Sequence, residues 1–308
     1  MIVPLMLTAA LLTAPNARTF HEYVALGDSW SADVSLTHLT TEHVPSGCAQ
    51  SSYDYPKQVA AALGVAVLRD ATCGGATTKS MTEPQNVDYV KGVIGGVNAP
   101  QFDRLSADTD LVTLGIGGND IGLAAAVAQC VNLLPTLTVV PGALLPAPLG
   151  APCKPRWVSG GVDRMSERIV AAEPKVRAAI EGVRERSPHA SVLLVDYLAG
   201  LPEVGGCYPY VQATDLDMDW LGDKLVELNA MLARVARASG VQFVDTYTSS
   251  RGHDVCQLPG VKWVEGLLPL STDPLGPAIP FHPNRLGADH QARVVLKTLG
   301  VSTLRGRV

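Results

Sequence analysis

Five short runs rich in Val, Leu and Ala limit what this chain can fold into, because helical patterns fall between and after them. The runs are residues 23–26, 66–70, 111–116, 191–196 and 241–245. Continuous apolar runs of this length suit strands buried on both faces of a parallel sheet. The interleaved helices supply the crossovers that parallel strands need. Helical patterns lie at 55–63, 162–186, 216–239 and 286–299. In the third, Leu221, Leu225, Leu228 and Leu232 share one face by three-and-four spacing, which reads as a core stripe. Pro174 inside the second is expected to kink or break it. The expected fold class is α/β, a three-layer α/β/α sandwich around a five-stranded, mostly parallel sheet. A chain of 308 residues can bury a substantial core. No composition shift divides it, so residues 20–305 read as a single domain.

In an open parallel sheet, ligands bind beyond the carboxyl ends of the strands. Three of those ends carry residues suited to chemistry. The first run stops at Gly27-Asp28-Ser29, the second leads into Cys73-Gly74-Gly75, and the third ends in Gly117-Gly118-Asn119-Asp120. Gly27 permits a sharp turn before Ser29. A helix starting near Ser29 would present unpaired N–H groups to negative charge forming beside its hydroxyl. Taken alone, Asp and Ser at such a junction are most often helix caps, and Gly and Asn most often turn residues. A serine nucleophile also needs a base within hydrogen-bond reach. Among seven histidines, His282 in Phe281-His282-Pro283-Asn284 is the candidate. His253 is its rival because Asp254 follows, yet adjacent side chains in an extended loop point apart. His290 lies at helical spacing from Leu286 and Val294 and reads as part of a helix face.

Charged residues make up 17% of the chain and the net charge is −5, which leaves no basic footprint for nucleic acid. The first 13 residues are apolar and are followed by Ala14-Pro15-Asn16-Ala17. Residues 1–17 therefore read as a secretory signal, without a basic start and too short to span a bilayer. The expected location is secreted, extracellular or at the cell envelope. Six cysteines, at 48, 73, 130, 153, 207 and 256, include no C-x-x-C, so disulfides are expected over a metal site, with 15 pairings open. Long irregular stretches at 30–54, 128–160, 197–215 and 246–280 read as functional or disulfide-tied loops. The second is strongly apolar between Val131 and Pro146, and its prolines exclude a regular membrane helix. It reads equally as a packed loop or as an acyl-chain wall or lid.

The order Ser29, Gly75, Asn119, His282, in the settings quoted above, resembles the SGNH hydrolases, also called GDSL esterases/lipases. The segments 72–78 (TCGGATT) and 252–256 (GHDVC), with the six cysteines, resemble the secreted actinobacterial branch. The resemblance implies an SGNH, flavodoxin-like fold and a serine ester hydrolase, a carboxylesterase or lipase acting through an acyl-enzyme. Ser29 would be the nucleophile and His282 the base and then the acid. The Ser29 N–H, the Gly75 N–H and the Asn119 amide would form the oxyanion hole. It also implies the disulfides Cys48–Cys73, Cys130–Cys153 and Cys207–Cys256. Trp30 stands where the family usually has Leu or Tyr, a change to the pocket wall and not to the chemistry.

Many members carry an aspartate three residues before the histidine, where this chain has Ile279. The expected arrangement is a Ser29–His282 dyad, with the ring N–H donating to a backbone carbonyl, that of Ile279. Asp273 is the alternative carboxylate. Asp28 and Asp120 are expected to cap a helix or brace a loop. No metal or organic cofactor is implied. The expected partner is a small-molecule or lipid ester, with transient lipid-surface contact, and the protein is expected to be a monomer. The alternative reading is a carbohydrate O-deacetylase or acyltransferase on the same site.

Overall fold

The computed structural model describes residues 19–88, 94–134, 138–140, 143–144, 149–267, 270–272 and 275–301. The expected signal segment, residues 1–17, lies outside them, as do Asp273 and parts of the apolar loop between 135 and 148.

The central sheet comprises β1 (Glu22–Gly27), β2 (Val67–Asp70), β3 (Leu111–Gly115), β4 (Ser191–Val195) and β5 (Gln242–Val244). Every pairing is parallel, and the spatial order is β2-β1-β3-β4-β5. This is the flavodoxin-like order, whose winding reverses between β1 and β3. The register sets Val24 beside Val112 and Gly27 beside Gly115, so the two strands end level.

The two-residue alternation of β1 fixes the layers. Tyr23 and Ala25 pack with Tyr55, Val59, Val295 and Leu296 on one face. Val24 and Leu26 belong to the larger core on the other, with Leu114, Ile169, Ile180 and Leu228. The first layer is built from α1 (Tyr55–Leu63) and the C-terminal helix Arg285–Thr298. The second is built from the long helices Arg164–Arg186 and Asp215–Ser239, which pack on each other. The expected stripe of Leu221, Leu225, Leu228 and Leu232 is buried.

The expectation of a break at Pro174 is corrected here. The helix Arg164–Arg186 runs through Pro174 without a break. Its apolar face is buried on both sides of the proline, at Ile169 and Ala172 before it and at Val176, Ile180 and Val183 after it. Each large buried side chain contributes about 1.5–3 kcal/mol, which together outweigh the roughly 3 kcal/mol that an interior proline costs.

Three disulfides, Cys48–Cys73, Cys130–Cys153 and Cys207–Cys256, tie the long loops. The pairings are those the family resemblance implies. The first fastens the loop after β1 to the one after β2, and the second closes the apolar loop. Asp217 lies beside Cys130 and Cys153. Both sulfurs are in the disulfide, and the Asp217 carboxylate accepts the Cys153 and Lys154 N–H groups, so the trio is a structural junction.

Candidate active site

The site forms where the winding of the sheet reverses. At the end of β1, a Cβ on Gly27 would lie 2.7 Å from the Gly115 carbonyl oxygen and 2.5 Å from Ser31 Oγ, so only glycine lets the two strand ends close up. Gln101 bonds both the N–H and the carbonyl of Gly27 at 2.8 and 2.9 Å. No helix starts at Ser29. The Ser31 and Ala32 N–H groups turn back to the Asp28 carbonyl, and the chain leaves the right-handed region at Asp33 (φ 44°). A helix dipole therefore does not act on Ser29. Among the described residues, its own N–H donates to no acceptor of the fold.

His282 Nε2 lies 2.8 Å from Ser29 Oγ, and His282 Nδ1 lies 2.8 Å from the Pro280 carbonyl. A carbonyl only accepts, so Nδ1 carries the proton and Nε2 is free to accept from the serine hydroxyl. The accepting carbonyl is that of Pro280, not the expected Ile279. Phe281 adopts a left-handed φ of 58°, and this turn folds the carbonyl two residues back beneath the ring. The segment is pinned by the Phe281 N–H to the Glu265 carbonyl, the Glu265 N–H to the His282 carbonyl, and the Asn284 N–H to the Trp263 carbonyl. Asn284 then caps the C-terminal helix by accepting from the Leu286 and Gly287 N–H groups. Burial of the ring lowers the His282 pKa to about 4, opposed in part by the bond to Pro280, so the imidazole is neutral at neutral pH.

The other two histidines considered stack on Trp263 and lie outside the cavity wall. His253 bonds the Val261 carbonyl, and His290 reaches the Thr246 carbonyl and Ser249 Oγ. Asp254 accepts the Cys256 N–H.

After β3, Gly117 (φ 124°) turns the chain into α2 (Gly118–Ile121). Asn119 Nδ2 donates one hydrogen to the Ala76 carbonyl at 2.9 Å. An amide nitrogen has two, and Asn119 also lines the cavity beside Ser29. Asp120 accepts from both the N–H and the hydroxyl of Thr78, which clamps the glycine loop to the asparagine loop. Gly75 is exposed, with φ 74°, and is not part of the cavity wall. Ser29, Asn119 and His282 thus meet at one cavity, while Gly75 stands outside its lining.

Sequence reasoning missed Tyr197, which follows β4 at the same end of the sheet. Its hydroxyl donates to Asp28 Oδ2 at 2.5 Å and accepts the Gly118 N–H at 2.7 Å. The other Asp28 oxygen accepts the Trp30 N–H, so Asp28 braces its loop. Burial raises the Asp28 pKa to about 7, against the lowering effect of the Tyr197 bond. The only local signal was position, since Tyr197 leaves a strand end as Ser29 and Asn119 do.

The cavity has a volume of about 250 Å³. Its polar groups cluster around Ser29, Asn119 and His282. The remaining wall is apolar, with Leu123 and Val127 of α3 (Leu123–Gln129), Val131, Leu201, Leu225 and Leu267. Trp30 forms part of the wall and packs edge-on against Tyr197. Of the long apolar loop, Ala128 and Val131 reach the lining.

The sequence matches the GDSL-like Lipase/Acylhydrolase family over residues 25–290. It is 34% identical over 283 residues to a protein named Lipase 2 from Streptomyces coelicolor, covering 91% of this chain and 86% of that one. Two solved structures share the fold at a TM-score of 0.65. One is an extracellular lipase from Streptomyces rimosus, 23% identical, covering 92% of this chain and 100% of that one. The other is phospholipase A1 from Streptomyces albidoflavus, 22% identical, covering 92% and 99%.

Proposed function

The chain belongs to the GDSL-like lipase/acylhydrolase family and is a carboxylic ester hydrolase, and from that premise we propose that it cleaves acyl esters with an apolar acyl chain through a Ser29–His282 dyad. What supports this most directly is His282 Nε2 lying 2.8 Å from Ser29 Oγ at the polar end of an otherwise apolar cavity.

In this reading Ser29 Oγ attacks the ester carbonyl and passes its proton to His282 Nε2. The Ser29 N–H and the free Asn119 N–H stabilise the oxyanion, with the Gly75 N–H, on the loop that Asp120 clamps beside Asn119, as the third donor. His282 then protonates the leaving alcohol, and water attacks the acyl-enzyme with His282 as base. Among the described residues no carboxylate holds the ring, so the imidazolium is balanced by the oxyanion that forms with it in the same site.

The acyl chain would lie against Leu123, Val127 and Leu225. Among the described residues no helix is long and apolar enough to cross a membrane. Three disulfides favour an exported protein, with residues 1–17 as its signal and 20–305 as a monomeric domain.

The test is kcat/KM on p-nitrophenyl esters from acetyl to palmitoyl, with Ser29→Ala as the blank. Each buried methylene contributes about 0.8 kcal/mol, so the rate should climb about fourfold per carbon for as long as added carbons are buried in the cavity. A maximum at acetyl would overturn the acyl assignment. Full activity in Ser29→Ala or His282→Ala would overturn the dyad.

A further inference from the structure

A second, much smaller cavity of about 20 Å³ lies beside the histidine segment and shares no lining residue with the acyl cavity. Asp33, Ser35, Tyr53, Glu265 and Asn284 contribute to its wall. Asp33 is only 2% exposed, and neither of its carboxylate oxygens has a hydrogen-bond partner.

The surroundings do not balance this carboxylate. Glu265 already has its counter-charge in Lys262, and its other oxygen accepts from Asn284 Nδ2. The positive charge that acts on Asp33 from a distance is Lys57, which is bonded to both Asp54 and Asp70. Asp289 and Glu265 add to the negative field around Asp33. An ionised carboxylate buried with no partner costs several kcal/mol, and burial accordingly raises the Asp33 pKa well above the usual carboxylate range. A cation in the cavity would hold it ionised.

We propose that this cavity binds one hard cation of the calcium or sodium class, with Asp33 as its anionic ligand. The volume suits a single occupant, since one water needs at least about 10–15 Å³. The polar side chains in the wall offer oxygen, and neither His nor Cys is among them. That donor chemistry selects calcium, sodium or magnesium over zinc or copper. The position gives the ion a consequence. Ile279, Pro283 and Asn284 line the same cavity and flank His282, so an ion held there braces the segment that presents the imidazole.

The experiment uses the full protein, treated with chelator and exchanged into a choline buffer, and reads thermal unfolding against added CaCl2, MgCl2 or NaCl. A second readout is terbium luminescence sensitised by Tyr53, which lines the cavity. The expected result is a saturable rise in Tm, about 4 °C at a hundredfold excess over Kd. Terbium emission should be displaced by the same cation, and both signals should be lost in Asp33→Asn. Should that variant fold poorly, Asp33→Gly suits the left-handed backbone and should abolish both signals equally. A wild-type Tm indifferent to all three cations would overturn the proposal. So would an Asp33→Asn variant that keeps the cation-dependent rise. Neither readout depends on ester hydrolysis, so the result stands apart from the assignment of Ser29 and His282.

Discussion

The depressed pKa of His282 makes a prediction that can be worked through. The ring sits at about 4, against an ordinary 6.5, because burial disfavours the imidazolium. A base is active only when neutral, so lowering its pKa extends activity toward acid. At pH 5 a histidine of pKa 4 is about 90% neutral, whereas one of pKa 6.5 is about 3% neutral, a difference of roughly thirtyfold in kcat/KM. The assay is hydrolysis of an octanoyl p-nitrophenyl ester from pH 3.5 to 8, followed where phenol and phenolate absorb equally. The acid limb of kcat/KM should fall near 4. Asp28, raised to about 7 by burial, can add a limb near neutrality, and Asp28→Asn should remove that limb alone. An acid limb near 6.5 that survives in Asp28→Asn would refute the reasoning, because it would mean a solvated imidazole. Stability should follow the same group. The unfolded chain takes up the His282 proton first, so the contribution is complete above about pH 6.5 and is lost as pH falls through 4. Its size is up to about 3 kcal/mol, at roughly 1.4 kcal/mol for each pH unit.

Two further outcomes are expected. Tyr197→Phe removes the bond to Asp28 and leaves the Gly118 N–H buried without an acceptor. It should lower kcat by about 10- to 100-fold with little change in KM, since the hydroxyl is committed to Asp28 and the Gly118 N–H and aligns the two loops. An equal rise in KM at constant kcat would refute that positioning role. Lys57→Met strips the shared cation from the buried Asp54 and Asp70 carboxylates. It should cost about 3–5 kcal/mol in urea unfolding at neutral pH, and a loss below about 1 kcal/mol would refute the shared-charge reading.

The parts of the fold legible in the sequence were those that local pattern dictates. All five strands, the helix Tyr55–Leu63 and the core stripe of the helix Asp215–Ser239 follow from apolar periodicity, because each buries a continuous face. Pro174 was misread because a local rule sets the cost of a proline, while the burial that offsets it comes from residues on both sides packing into the core. The same division runs through the site. Ser29, Asn119 and His282 were readable because each follows a marked chain signal: a glycine-terminated strand for two of them, and family spacing for the third. The groups that set their chemistry were not. The left-handed turn at Phe281 selects Pro280 as the carbonyl that fixes the tautomer, and no residue type in Ile279-Pro280-Phe281 announces it. Tyr197 reaches Asp28 across 169 positions of sequence, and Asp33 is isolated only once Lys262 and Lys57 are found committed to other carboxylates. What would tune Ser29 and His282 into the proposed dyad is therefore the set of long-range contacts that periodicity does not encode. Variants at Tyr197 and Asp28 should separate positioning from chemistry better than variants at the dyad itself.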